Sequence, residues 1–152
     1  MEEENSSYLE GIDWIRGPLL GTGAFSSCYQ GRDVSTGTLM AVKLISFCRN
    51  SEEEQEKVEN AIREEVGLMS RLRHPNIVRQ LGATQHSQHF YMFSEWMAGG
   101  SVSNMLDQYG AFSEDVIVRY TRQILSGLSY LHDNYILHRD LKGKSDFLKT
   151  YF

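Results

Sequence analysis

A short turn with two glycines, set between strand-like segments, limits most strongly what this chain can fold into. Residues 21–26 read Gly-Thr-Gly-Ala-Phe-Ser. Because the glycines lack a Cβ, this glycine turn can bend sharply and bring backbone N–H groups close to an anion. The residue pattern predicts a strand over 27–32, a second turn at 35–37 and another strand over 39–47. A flexible glycine turn on such a hairpin favours a phosphate-binding site.

Lys43 is the one charged residue in the second of these strands. An ammonium group buried among apolar neighbours such as Val42 and Leu44 is unfavourable unless a negative group meets it. We therefore expect a buried Lys43 with an anionic partner, and the preceding glycine turn favours phosphate as one such partner.

Other glycine motifs, and a hairpin without a ligand, are the alternatives. The dinucleotide-binding motif needs a helix directly after its glycines, whereas residues 27–30 continue as a strand and Ser26 replaces the third glycine. The G-x-x-x-x-G-K-[ST] phosphate loop is echoed at residues 143–145, but its first glycine would fall on His138. The glycine turn by itself leaves a plain surface hairpin open.

A predicted helix over 58–72 offers a carboxylate to Lys43. At about 100° per residue, Val58, Ile62 and Met69 lie on one face of this helix, with Glu65 near the middle of that face. The preferred interpretation is an inward Glu65 whose ion pair holds Lys43 extended towards nucleotide phosphates. The alternative is a carboxylate that turns out to water.

Charged residues follow a short apolar segment near the end of the sequence. Residues 138–142 read His-Arg-Asp-Leu-Lys. Asp140 can accept a proton from a hydroxyl nucleophile, and Lys142 can neutralise a transferring phosphoryl group. In isolation these residues equally fit a solvated loop, so the interpretation depends on the glycine turn, Lys43 and Glu65 that precede them.

Composition restricts the class of partner. The formal net charge of −5 over 152 residues argues against nucleic acid or an anionic membrane as the main partner. No apolar run approaches the roughly 20 residues that a membrane span needs. Cys28 and Cys48 lie in strand-like segments and suggest a reducing compartment, so we expect a cytoplasmic protein.

His86 and His89 lie at a predicted loop tip without further ligands, and we predict no metal site there.

Taken in chain order, these motifs resemble the signature of a eukaryotic protein kinase. The matching parts are the glycine turn, Ala-Val-Lys at 41–43, Glu65, Glu-Trp-Met at 95–97 and His-Arg-Asp-Leu-Lys at 138–142. Each part alone is weakly specific, but their combination in this order is not expected by chance.

Two further features narrow the resemblance. The lysine after Leu141 is similar to the serine/threonine branch of the kinases. Residues 23–30 and 95–102 resemble the MAP kinase kinase kinase group, in its MEKK class. The resemblance covers about residues 14–142, which is most of the chain.

The resemblance implies an α+β fold. A kinase N-lobe, with a five-stranded antiparallel sheet and one helix, would occupy residues 14–97 and end in a hinge. The first helices of an α-helical C-lobe and the start of the catalytic loop would occupy 98–143. Residues 1–13 would form an N-terminal tail, and residues 144–152 would form a divergent tail.

The resemblance also implies roles for single residues. Lys43 would contact the α and β phosphates of ATP with support from Glu65, and Asp140, with Lys142 beside it, would orient the substrate hydroxyl. The expected ATP-binding residues come from the glycine turn, the Lys43 strand, the hinge and the segment after it: Leu20, Gly21, Thr22, Gly23, Ala24, Phe25, Ser26, Ser27, Cys28, Ala41, Lys43, Glu95, Met97 and Ser101.

The implied function is transfer of the ATP γ-phosphate to serine or threonine of MAP kinase kinases, with Mg²⁺ as the family's requirement. The family places a metal-binding asparagine where this chain has Ser145, and residues 146–148 read Asp-Phe-Leu without the glycine of the D-F-G motif. We therefore expect these 152 residues to be inactive by themselves. The alternative is a non-catalytic module that binds nucleotide or acts as a decoy.

Overall fold

The computed structural model describes residues 8–143. Within that range the chain forms five strands and three helices. They belong to two compact units. Of the described residues, the sheet unit contains those from Tyr8 to Leu72 together with Arg79–Trp96, and the helical unit contains Arg73–Val78 and those from Met97 to Gly143.

Five strands make up the sheet: β1 (Trp14–Thr22), β2 (Ser26–Asp33), β3 (Leu39–Ser46), β4 (Gln80–His86) and β5 (His89–Glu95). They lie in the order β1-β2-β3-β5-β4, and every neighbouring pair is antiparallel. The prediction of a five-stranded antiparallel sheet is confirmed.

An apolar cluster covers one face of the sheet, which we call the outer face. Met40 and Val42 of β3 are buried there with Trp14 of β1 and Phe93 of β5. Gly31 of β2 lies against this cluster, and a Cβ at Gly31 would come within 2.6 Å of Val42 Cγ2. That spacing is closer than packed atoms allow, so the cluster depends on glycine at this position.

Helix α1 (Glu52–Met69) packs on the opposite face of the sheet, which we call the helix face. Ile62 of α1 is buried with Phe47 and Phe90, whose ring centroids are 5.3 Å apart. Ile45 of β3 packs against the same cluster. Because side chains alternate along a strand, Lys43 shares the helix face with Ile45.

The helix begins earlier than the sequence predicted. The side-chain oxygen of Ser51 accepts a hydrogen bond of 3.2 Å from the backbone N–H of Glu54 and so caps the first turn. Glu52 and Glu53 also lie in that turn, where carboxylates interact favourably with the helix dipole. The acidic segment before residue 58 is therefore part of the helix.

The helical unit contains α2 (Val102–Tyr109) and α3 (Glu114–Asp133). Tyr120 and Leu131 are the buried large side chains of α3, with exposed fractions of 4% and 0%. Within the part of the chain that the structure describes, no helix is both long and apolar enough to cross a membrane.

Candidate functional site

The glycine turn joins β1 and β2 and keeps space around part of its backbone. A Cβ at Gly21 would meet nothing within 4 Å, whereas a Cβ at Gly23 would lie 2.8 Å from Ser26 Oγ. The backbone N–H of Gly23 donates a hydrogen bond of 2.7 Å to the carbonyl oxygen of Ser26. The turn is thus closed on itself at Gly23 and open at Gly21.

The residues on either side of the turn belong to β1 and β2, which pair with each other in the sheet. Thr22 pairs with Ser27, and Gly21 pairs with Cys28. Leu20 lies at an irregularity in the β1–β2 register and is 48% exposed. The prediction that these residues bind ATP stays a prediction.

Phe25, with Ala24 before it, forms the tip of the turn and is 60% exposed. Its carbonyl oxygen accepts a hydrogen bond of 3.0 Å from the backbone N–H of Ser46. The guanidinium carbon of Arg49 lies 4.1 Å from the centroid of the Phe25 ring. Sequence reasoning missed Arg49, because it assigned this residue to a charged surface segment. The available clue was an arginine just beyond β3, the strand whose end lies beside the turn.

Lys43 lies at the centre of the sheet, opposite Cys28 of β2 and Met92 of β5. Ala41, another predicted ATP-binding residue, is half-buried on the same face of β3. The prediction that Lys43 is buried is wrong, because its side chain is exposed. The apolar neighbour Val42 points to the outer face, and the helix covers the helix face at Ile45 rather than at Lys43.

The predicted ion pair between Lys43 and Glu65 is also wrong for this structure. Among residues 8–143 the ion pairs do not include this one, and Glu65 is exposed. The stripe of α1 that packs on the sheet runs through Val58, Ile62 and Val66, which places Glu65 at the edge of the buried face rather than at its centre. Both residues still lie on the helix side of the sheet.

Glu95 ends β5 and is fixed to the start of β4. Its backbone N–H donates to the carbonyl oxygen of Arg79 at 3.0 Å, and its carboxylate accepts from the backbone N–H of Arg79 at 2.7 Å. Met97 and Ser101 belong to the helical unit, where Ser101 caps α2 by accepting a 3.2 Å hydrogen bond from the N–H of Asn104. The prediction that these residues bind ATP also stays a prediction.

Asp140 and Lys142 form an exposed ion pair within the helical unit. Lys142 Nζ lies 2.6 Å from Asp140 Oδ2, and this hydrogen bond, with the positive charge of Lys142, holds the pKa of Asp140 below its ordinary value. The backbone N–H of Asp140 donates to Nδ1 of His138 at 3.3 Å. A charged, accessible carboxylate with a lysine beside it can orient a hydroxyl and neutralise a phosphoryl group.

The residues from 8 to 143 include no group of three His, Cys, Asp or Glu side chains that could hold a metal ion. Ser145, the Asp-Phe-Leu segment at 146–148 and the rest of the predicted divergent tail lie outside the described residues.

A cavity of about 420 Å³ lies elsewhere in the sheet unit. It is lined by Tyr8, Asp33, Leu81 and Phe93, among others. Phe93 belongs to the outer-face cluster, and Lys43 is on the other side of the sheet. This cavity is therefore separate from the glycine turn and Lys43.

Comparison with known proteins gives the family. Residues 14–149 match the protein kinase domain. Mitogen-activated protein kinase kinase kinase 1 of Homo sapiens is 57% identical over 136 residues, which cover 90% of this chain and 9% of that protein. Mitogen-activated protein kinase kinase kinase 3 of Arabidopsis thaliana is 44% identical over 135 residues, covering 87% of this chain and 21% of that protein. The chain thus spans a small part of the length of these relatives.

A solved structure has a similar fold. The crystal structure of Rad53 residues 1–466 in complex with AMP-PNP gives a TM-score of 0.75 at 29% identity, and the similarity covers 91% of this chain and 37% of that chain. The family match runs through the glycine turn, Lys43 and residues 138–142, and the relatives carry the name of the group that the sequence resembled. The chain therefore belongs to the protein kinase domain family and is of the MAP kinase kinase kinase type.

Proposed function

We propose that this chain holds ATP through its glycine turn and Lys43. It does so as part of a serine/threonine kinase domain that transfers the γ-phosphate of ATP to MAP kinase kinases. The family match, the MAP kinase kinase kinase relatives and a structural neighbour solved with AMP-PNP support this assignment.

The position of Lys43 carries the proposal. Lys43 has an exposed side chain on β3. It pairs with Cys28 of β2, the strand that follows the glycine turn. None of the carboxylates in residues 8–143 forms an ion pair with it. A phosphate oxygen is an anion of the right kind to meet this ammonium, since charge-assisted hydrogen bonds to phosphate are strong.

The glycine turn supplies the second part of the proposed site. Open space around Gly21 lets the backbone approach a phosphate, and backbone N–H dipoles interact favourably with its negative charge. The N–H of Gly23 is engaged with Ser26, so contact between Gly23 and a phosphate requires this bond to open. We expect nucleotide binding to change the turn at this point.

The proposed transfer step uses Asp140 and Lys142. Asp140 would orient the acceptor hydroxyl, and Lys142 would offset charge on the phosphoryl group. ATP would bring Mg²⁺ with it, and the ion would be bound mainly by phosphate oxygens and water, because Mg²⁺ in such sites keeps several waters and needs few protein ligands.

Nucleotide binding tests the first half of the proposal. Titration of the chain with ATP and Mg²⁺, followed by the rise in its melting temperature, should show saturable binding. Lys43→Met should weaken binding by about tenfold or more, since it removes a charged hydrogen bond to phosphate. Lys57→Met is the matched control, because Lys57 is an exposed lysine of α1 paired with Glu53. Equal binding by the Lys43→Met and Lys57→Met chains would overturn the assignment of Lys43.

Phosphotransfer tests whether these 152 residues can carry out the transfer by themselves. ATP labelled in its γ-phosphate is offered with a MAP kinase kinase as acceptor. Because Ser145 replaces the metal-binding asparagine, we expect label from these 152 residues to stay at the Lys43→Met level. Label on serine or threonine above that level, lost in Asp140→Asn, would refute the expected inactivity and support the acceptor class.

We also propose a cytoplasmic location. Cys48 is an exposed thiol, which suits a reducing compartment. Fractionation of cells that express the tagged chain, with recovery in the cytosolic fraction, is the test.

A further inference from the structure

Arg49 is fixed directly against the tip of the glycine turn. Its Nη1 donates hydrogen bonds to the carbonyl oxygens of Ser46 at 3.1 Å and Cys48 at 2.7 Å. The planar guanidinium lies over the ring of Phe25, 4.1 Å from its centroid. A cation at this distance from an aromatic face is attracted by the negative face of the ring.

A backbone contact also holds Phe25. The β2–β3 ladder ends with the pair Ser26 and Ile45, and the hydrogen bond from Ser46 N–H to Phe25 O extends it by one step, at 3.0 Å. Phe25 is therefore attached to the end of β3 by its backbone and by its ring. Without Arg49, only the backbone bond would attach Phe25 to the end of β3.

We propose that Arg49 is a positioning residue for the glycine turn. By holding Phe25 against the end of β3, it keeps residues 21–26 in place over the proposed phosphate site. The inference rests on the proposed nucleotide binding and adds a residue outside the ATP-binding set. Arg49 acts through Phe25 and is not assigned a contact with the nucleotide.

Arginine is specifically required in this geometry. Its planar group can bind two carbonyl oxygens at one edge while its face stacks on a ring. A lysine ammonium is a point charge without that plane, so Arg49→Lys should retain the charge but not the full contact. A turn that is already held loses less conformational freedom when it closes on a ligand, which slows ligand release.

The first measurement needs no nucleotide. Amide hydrogen exchange is followed at residues 21–27 of the free chain. Arg49→Gln should speed exchange in the turn by about two- to fivefold, the range expected when an exposed cation–π contact is lost. Arg32→Gln removes the same charge from an exposed position on β2 and should leave the turn unchanged.

The second measurement is ATP affinity in the same variants. Arg49→Gln should weaken binding by about two- to fivefold, mainly through faster dissociation, with Arg49→Lys in between. Phe25→Leu should weaken binding similarly, and the double variant should add little, because both changes remove one contact. Phe25→Trp keeps a ring for the guanidinium and should restore most of the affinity.

The outcomes separate the two proposals. Turn exchange that is equal in Arg49→Gln and Arg32→Gln overturns the role of Arg49 whatever the chain binds. Equal ATP affinities in those two variants overturn it as well. If the wild-type chain binds no ATP, the proposed function fails, and the positioning role fails with it. Faster exchange in Arg49→Gln would in that case still establish the contact of Arg49 with Phe25.

Discussion

The hydroxyl of Tyr8 donates a hydrogen bond to Asp33 Oδ2 across the outer face of the sheet. The Tyr8 ring meets Phe93 edge-on, with centroids 5.0 Å apart. Asp33 ends β2 and also accepts from the backbone N–H of Thr36 at 2.6 Å. Through these contacts the segment before β1 is attached to the β2–β3 turn.

Removing the Tyr8 hydroxyl should lower stability in a pH-dependent way. The hydrogen bond from Tyr8, followed by those from Ser35 and Thr36, holds the pKa of Asp33 well below its usual range. A lowered carboxyl pKa stabilises the folded chain above the unfolded pKa of about 4, and this stabilisation is lost as the pH falls below it. Tyr8→Phe should therefore be less stable than wild type at neutral pH, and the difference should shrink as the pH falls below about 4.

Urea unfolding at several pH values measures this effect. Tyr29→Phe is the control, because the ring contact of Tyr29 with Arg16 survives the loss of its hydroxyl. A stability difference between wild type and Tyr8→Phe that stays the same at every pH would contradict the link to the charge of Asp33.

A methyl group added at Gly31 should destabilise the sheet unit. The new Cβ would lie 2.6 Å from Val42 Cγ2, and overpacking of this kind costs about 1–3 kcal/mol. Gly67 of α1 offers the opposite case, because a Cβ there meets nothing within 4 Å and alanine favours a helix over glycine by roughly 1 kcal/mol. Denaturant midpoints should fall in Gly31→Ala and rise in Gly67→Ala. An unchanged denaturant midpoint in Gly31→Ala would contradict the packing of the outer face.

The helical unit should depend on Leu131. Its side chain is 0% exposed, whereas Leu125 of the same helix is 58% exposed. Leu131→Ala should destabilise by about 2–5 kcal/mol, and Leu125→Ala should change stability by no more than about 0.5 kcal/mol. Similar losses in the two variants, measured by circular dichroism during unfolding, would contradict the packing of α3.

The residue pattern predicted individual strands such as 39–47, whereas the five-stranded antiparallel sheet was implied by the resemblance to protein kinases. The residues that close one face of the sheet, among them Met40, Val42 and Phe93, come from different strands. The start of α1 was missed, because the sequence predicted the helix only from residue 58, whereas it begins at Glu52. Residues 52–54 form the first turn of α1, which Ser51 caps. A serine can be recognised as a helix cap only when the start of the helix is already known.

The site was harder to predict than the sheet. Glu65 was placed inward from helical spacing alone, but the helix packs through Val58, Ile62 and Val66, and a small rotation moves a neighbouring side chain to the edge. The contact of Arg49 with Phe25 joins the turn before β2 to the segment after β3. It depends on the register between β2 and β3, which spacing along the chain does not give.

The cap at Ser51 can be tested directly. Ser51→Ala removes the acceptor for the Glu54 N–H and should cost about 0.5–2 kcal/mol. Ser113→Ala is the matched control, because Ser113 precedes α3 without a side-chain capping bond. If the two variants melt alike, the cap on α1 does not contribute to stability.

The central claim is that Lys43 and the glycine turn hold the phosphates of ATP. Calorimetric titration with ATP and with adenosine, on the wild-type and Lys43→Met chains, tests it most directly. Wild type should bind ATP more tightly than adenosine, and Lys43→Met should lose most of that preference while its affinity for adenosine stays the same. An undiminished preference for ATP in Lys43→Met would contradict the claim.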